Sequence, residues 1–131
     1  MSVQDSLQDI LTYFQNHDEQ YLAENVEFFD MTAEQPLHGR EAMQRALDLF
    51  YTEAFSDAST ETRNVVAAEN GVVIEFVFHG THTGELAGMA PTGKTVAVPM
   101  CAFYAVAHSQ IHLVRLYYDT ATLRRQLGLL A

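Results

Sequence analysis

An α+β fold is what this sequence predicts, on three observations. Helical periodicity runs up to Phe55, strand periodicity takes over from Thr62 to Tyr118, and a short helical stretch closes the chain. At 131 residues the chain suits one domain with a sizeable core. Helices first and strands afterwards put the helices on one face of a curved antiparallel sheet. The concave face of that sheet must be filled or left as a pocket.

The elements follow in order. Val3, Leu7, Ile10, Leu11 and Phe14 recur at helical spacing behind Ser2, an N-cap residue, so a first helix is predicted from Ser2 to Asn16. Asp18 then caps a short second helix over Glu19–Glu24, closed by Asn25. Val26, Phe28 and Asp30 alternate with Glu27 and Phe29 as a half-buried strand, which a Thr32–His38 loop follows. Gly39-Arg40-Glu41 opens a third helix with the apolar stripe Ala42, Met43, Ala46, Leu47, Phe50 and Ala54, ending near Phe55. Strands are predicted over Thr62–Ala68, Gly71–Thr83, Lys94–Val106 and Gln110–Tyr118, with a turn at Glu69-Asn70-Gly71 and another over Gly88–Gly93. Pro99 implies a bulge or an edge position. Asp119 or Thr120 caps a last helix over Ala121–Leu127, with Gly128 just past its end.

Composition removes several classes of function. Seven Lys and Arg against 17 Asp and Glu leave a net charge of −10, which disfavours nucleic acid and anionic membranes. No apolar run is long enough to span a bilayer, and the N-terminus is not that of a secretion signal. The single cysteine, Cys101, excludes an internal disulfide, and the expected compartment is the cytoplasm. His79 and His82 point to opposite faces of a strand and no third ligand has recognisable spacing, so no metal is expected. No phosphate-cradling loop or nucleophile elbow occurs, and no cofactor is expected.

Three stretches carry a family resemblance. They are Leu37-His38-Gly39-Arg40-Glu41-Ala42; Gly80-Thr81-His82-Thr83-Gly84-Glu85-Leu86 with Ala90-Pro91-Thr92-Gly93-Lys94; and Tyr117-Tyr118-Asp119-Thr120-Ala121-Thr122-Leu123 before Arg125-Gln126-Leu127-Gly128. Together they resemble SnoaL-like proteins, a polyketide-cyclase-type branch of the nuclear-transport-factor-2-like superfamily that also contains ketosteroid isomerase. The resemblance spans about Leu7 to Leu129 and implies a cone-shaped sheet with N-terminal helices on its concave face. It also implies a catalytic carboxylate at Asp30, nine residues before Gly39. The positions of the isomerase oxyanion donors fall on Leu11 and Ala102, and those of the cyclase His and Asp on Ala102 and Leu116. His82 matches a histidine of this branch.

Strand parity gives an independent list of inward residues. If Val26, Phe28 and Asp30 face inward, so do Ile74, Phe76, Phe78 and His82, then Val98, Met100, Ala102 and Tyr104, then His112, Val114, Leu116 and Tyr118. With Phe14 from the first helix, Phe28, Phe76, Phe78, Ala102, Tyr104, His112, Leu116 and Tyr118 are the expected lining of an apolar ligand pocket. Asp30 is the candidate general base, and its other reading is a strand-end residue hydrogen-bonded to the Thr32–His38 loop. His82 is the second candidate catalytic residue, as a proton donor or oxyanion partner; otherwise it bonds the Thr83–Gly88 turn. Three functions remain open: acid/base isomerisation or cyclisation of an apolar carbonyl compound, non-catalytic binding of an apolar small molecule, and a dimeric interaction module. A homodimer is expected through the outer sheet face, which carries Phe103, Leu113, Arg115 and Tyr117.

Overall fold

The computed structural model describes residues 2–129. Ser2 caps the first helix, α1 (Val3–Asn16), its hydroxyl accepting the Asp5 amide at 3.1 Å. Ile10, Tyr13 and Phe14 form its buried stripe and meet the sheet. His17 ends the helix in the left-handed region, φ 50°, and its N–H donates to the Tyr13 carbonyl.

Asp18 caps the next segment, but this is a single 3-10 turn, Glu19–Tyr21, and the first strand, β1, already runs from Leu22 to Asp30. The expected helix to Glu24 gives way because Leu22, Ala23 and Val26 are buried and β1 gains a parallel partner in the last strand. Tertiary pairing outweighs local propensity there. A two-residue strand, β2 (Leu37–His38), stands inside the stretch expected to be loop and pairs antiparallel with β1.

The next helix, α2 (Arg40–Asp48), does not continue in α geometry to Phe55. Leu49–Ala54 is a π-helical segment, and its wider turn brings Phe50 and Tyr51 against Phe78. The amides of Thr83 and Gly84 both donate to the Ala54 carbonyl and pin the end of this segment. A side chain at Gly84 would strike the Glu53 carbonyl, so only glycine allows this approach.

The remaining strands are β3 (Ser59–Ala68), β4 (Gly71–Thr81), β5 (Thr95–Ala107) and β6 (Gln110–Tyr118). The six strands form one curved, unclosed sheet in the order β2-β1-β6-β5-β4-β3, antiparallel except for the β1–β6 pair. β3 starts three residues before the expected Thr62, and β4 ends at Thr81, two short of Thr83.

Pro99 introduces no bulge: it pairs with Val77 in unbroken register. The last β5–β6 pair is Met100 with Tyr118, so Pro99 has a strand on one side only and takes the edge position a proline tolerates. Val98, Met100, Ala102 and Tyr104 therefore all stay buried on one face.

The bulge lies instead at His112. Ala105 pairs with Leu113 and Val106 with Ile111, which leaves His112 as the extra residue. The inward position expected for His112 belongs to Ile111, which is buried, while the His112 ring meets the Ala107 carbonyl at 3.1 Å.

The C-terminal helix, α3 (Thr120–Gln126), is capped by the Asp119 carboxylate. It docks on β5 through Gln126, whose side-chain amide accepts from the Ala97 N–H at 2.7 Å and donates to the Ala97 carbonyl at 2.9 Å. No helix among the described residues is long and apolar enough to cross a membrane.

Candidate functional site

Asp30 is the last residue of β1, opposite Leu116. Its Oδ1 accepts the Thr32 N–H at 2.9 Å and the Thr32 hydroxyl at 2.6 Å. Both bonds fall on one oxygen, and Oδ2 has no hydrogen-bond partner among the described residues. Asp30 is thus tied to its own loop and still offers one open carboxylate oxygen.

That carboxylate lines a cavity of about 90 Å³ together with Phe28, Phe50, Met100, Leu116 and Tyr118. Burial pushes the Tyr118 phenol above its ordinary range, a hydrogen bond with Thr32 opposes this, and the Asp30 charge adds to it. Tyr118 is therefore a neutral hydroxyl beside a carboxylate.

A second, inner cavity of about 30 Å³ lies behind, bounded by Tyr13, Phe14, His17, Phe76, Ala102 and Tyr104. Phe28, Leu47, Tyr51 and Leu116 wall both cavities, so the two are neighbours in one apolar system. Burial raises the Tyr13, Tyr51 and Tyr104 phenols above their ordinary range. All three tyrosines border this cavity, and the Tyr13 and Tyr104 rings meet edge to face at 6.3 Å. Burial lowers the His17 pKa, with Asp48 opposing, so its imidazole is neutral. The Tyr13 hydroxyl is buried with no hydrogen-bond partner.

His82 lies elsewhere. It is fully buried beside the Phe55 ring and lines neither cavity. Its Nδ1 accepts the Thr92 N–H at 3.2 Å, and its Nε2 is buried without a hydrogen-bond partner. Asp30 and His82, the two candidate catalytic residues, border no common cavity: Asp30 ends β1 and His82 follows β4, and β6 and β5 lie between those strands.

Of the expected lining, Phe14, Phe28, Phe76, Ala102, Tyr104, Leu116 and Tyr118 do border the two cavities. Phe78 does not. It is buried behind them in a cluster with Phe50, Tyr51 and Phe55. His112 is removed by its bulge. Tyr13, His17 and Tyr51 border the inner cavity without having been expected there. Tyr13 was legible in part, as a tyrosine on the apolar stripe of α1 whose hydroxyl needs a partner once buried. Tyr51 was legible in part as well, since it stands four residues after Leu47 at the margin of the α2 stripe.

A wider, open groove of about 760 Å³ beside α2 includes neither Asp30 nor the inward aromatics. It is lined by Glu24, His38, Glu41 and Asp48, and its Arg40 is engaged with the Leu22 carbonyl. We place the candidate site in the small apolar cavities for that reason. Cys101 offers no alternative nucleophile, because burial and the Glu75 charge raise its thiol pKa. Among the described residues no three His, Cys, Asp or Glu side chains converge as a metal site would need.

The family model described as SnoaL-like polyketide cyclase matches residues 11–127. The chain belongs to this SnoaL-like family. Solved structures of the same fold include a candidate SnoaL-like polyketide cyclase from Jannaschia Sp. CCS1, at 18% identity over 95% of this chain and 92% of that one, with a TM-score of 0.84. A candidate polyketide cyclase from Xanthomonas campestris pv. campestris matches at 22% identity over 95% and 98%, TM-score 0.76. A protein of ketosteroid isomerase-like fold from Catenulispora acidiphila DSM 44928, in complex with trimethylamine, matches at 18% over 98% and 95%, TM-score 0.72. At these identities the likeness is one of fold. No curated protein matches the chain. For this SnoaL-like chain the residues themselves must therefore supply the chemistry.

Proposed function

We propose that this SnoaL-like protein takes an apolar carbonyl compound into the Asp30–Tyr118 cavity and moves a proton α to the carbonyl, as an isomerase or cyclase does. The observation that carries this reading is Asp30 itself. Thr32 holds Oδ1, which fixes the carboxylate, while Oδ2 has no hydrogen-bond partner among the described residues, and the Asp30 side chain lines a cavity with Phe28, Phe50 and Leu116. A fixed base facing apolar surface is poised to accept a C–H proton. The neutral Tyr118 hydroxyl stands beside it as the donor that can steady the developing enolate or return the proton. Candidate polyketide cyclases among the structural relatives support a carbonyl substrate class.

At about 90 Å³ the outer cavity is smaller than the roughly 300 Å³ a typical ligand site offers. A two-ring ligand enters by displacing Phe50 and Tyr51, both carried on the π-helical segment.

The test is α-hydrogen exchange of 2-tetralone in D2O, followed by proton NMR. The protein should accelerate exchange, and Asp30→Asn should slow it by about 10²–10⁴-fold, the size of a general-base contribution. An unaccelerated reaction with the unaltered protein, or full rate in Asp30→Asn, would overturn the reading. Binding of 2-tetralone without exchange would favour the second reading, a non-catalytic apolar carrier. The aliphatic walls Ala102 and Leu116 support that one.

A further inference from the structure

We propose that Thr32 is a positioning residue of the reaction: its hydroxyl aims the Asp30 carboxylate so that Oδ2, and not Oδ1, takes the proton. The proposal rests on the reading of Asp30 as the base and deepens it, from which residue accepts the proton to which oxygen does so and what aims it.

The two oxygens differ in what they have left to offer. An ionised carboxylate has roughly two acceptor sites on each oxygen. Oδ1 receives the Thr32 N–H at 2.9 Å and the Thr32 hydroxyl at 2.6 Å, which fills it, whereas Oδ2 has no hydrogen-bond partner among the described residues. A C–H proton therefore passes to Oδ2, its electron pair stays on the ligand as an enolate, and a deuteron from solvent returns by the same oxygen.

Thr32 is itself held in place before any ligand arrives. The Ala33 N–H donates to the Asp30 carbonyl at 2.9 Å and closes a turn over residues 30–33. Within that turn the Met31 N–H donates to the Leu116 carbonyl, also at 2.9 Å, and Leu116 is the β6 residue that pairs with Asp30. The turn is thus tied to the strand that brings Leu116 and Tyr118 to the cavity, and a group fixed in advance needs no ordering during the reaction.

Thr32 does not border the cavity and is exposed to solvent, so its hydroxyl works on Asp30 and not on the ligand. The N–H bond alone would let the carboxylate pivot about one contact. The hydroxyl, the shorter of the two bonds, removes that freedom. It also acts on the Tyr118 phenol, against the rise that burial imposes there, so base and donor meet at one side chain.

The test is tetralone exchange over a range of ketone concentrations, which separates kcat from KM. Thr32→Val keeps the shape and the N–H bond and removes only the hydroxyl; it should lower kcat about tenfold and leave KM within about twofold. Thr32→Ser returns the hydroxyl and should bring kcat back to within about threefold of the unaltered protein. In an Asp30→Asn background, Thr32→Val should make less than about a twofold further difference, since no base is left to aim. An unchanged kcat in Thr32→Val, an equal loss in Thr32→Val and Thr32→Ser, or a further tenfold loss in the Asp30→Asn background overturns the positioning role. Exchange that is lost in Asp30→Asn yet intact in Thr32→Val would keep the base and discard the aim of Thr32. Full exchange in Asp30→Asn would overturn both.

Discussion

The buried Tyr13 hydroxyl has a consequence for stability. Its hydroxyl is desolvated with no partner, which costs on the order of 1–3 kcal/mol, so Tyr13→Phe should stabilise the ligand-free protein by about 1 kcal/mol. Thermal unfolding should rise by roughly 4 °C, and a fall would mean that the hydroxyl is satisfied. His17 sets a pH dependence. Burial holds its pKa below the ordinary value of 6.5, so as pH falls below that value the unfolded chain takes up a proton that the native chain refuses. Stability due to His17 is complete above pH 6.5 and is lost as pH falls toward the lowered native value. Denaturant midpoints should drop across that window, and His17→Asn should flatten the slope there. The buried phenols act in the opposite sense: Tyr13, Tyr51 and Tyr104 ionise more readily unfolded, so stability should decline above about pH 10. Asp30 was legible in the sequence because parity and its distance from Gly39 both point to the end of β1. The place of His82 was not legible. Period-2 alternation tells which face a residue takes, and says nothing of how many strands lie between it and another on the same face.

Among the elements, the π-helical segment Leu49–Ala54 matters most to the site, since it carries Phe50 and Tyr51 into the cavity wall. Its far end is held by the Thr83 and Gly84 amides on the Ala54 carbonyl, at the point where Gly84 leaves no space beside Glu53. Gly84→Ala must push the segment away. A loss of about 1–3 kcal/mol is expected, together with slower tetralone exchange in the protein that remains folded. An unaffected melting temperature would show that the loop can yield without moving the segment. The sequence resolved α1, β4, β5, β6 and α3 to within a few residues, because each carries a long periodic pattern or a capping residue such as Ser2 or Asp119. It missed β2, which is two residues long, and the early start of β1, because Leu22 and Ala23 are strand only through their place against β6. The bulge at His112 was equally hidden. An extra residue in a strand leaves the composition alternating on either side and shows itself only in the pairing with β5.

On the scale of the whole molecule, the sheet has one face filled by its own helices and another left to solvent. On the outer face Arg115 lies 5.8 Å from the centre of the Phe29 ring and 5.7 Å from that of Phe103, and Tyr117 is 45% exposed. A guanidinium held between two phenyl rings presents a flat and weakly hydrated surface, and an exposed tyrosine beside it suits a contact that is apolar at its centre. The occupant expected there is a second copy of the chain, since a face meeting itself across a two-fold axis needs no separate partner. Each copy carries a net charge of −10, so long-range repulsion works against pairing. Salt should therefore strengthen the dimer: between about 0.01 and 0.15 M the screening length falls from about 30 to 8 Å, which removes the repulsion and leaves the buried contacts in place. Light scattering after size exclusion should give twice the chain mass at the higher salt. Tyr117→Glu sets an additional negative charge on the shared face of both copies and should weaken association at least tenfold, while leaving the circular dichroism and the melting of the fold intact. A protein that is monomeric at 100 µM in either salt would leave this face without a role in self-association, and the Asp30 site would then belong to a single chain acting alone.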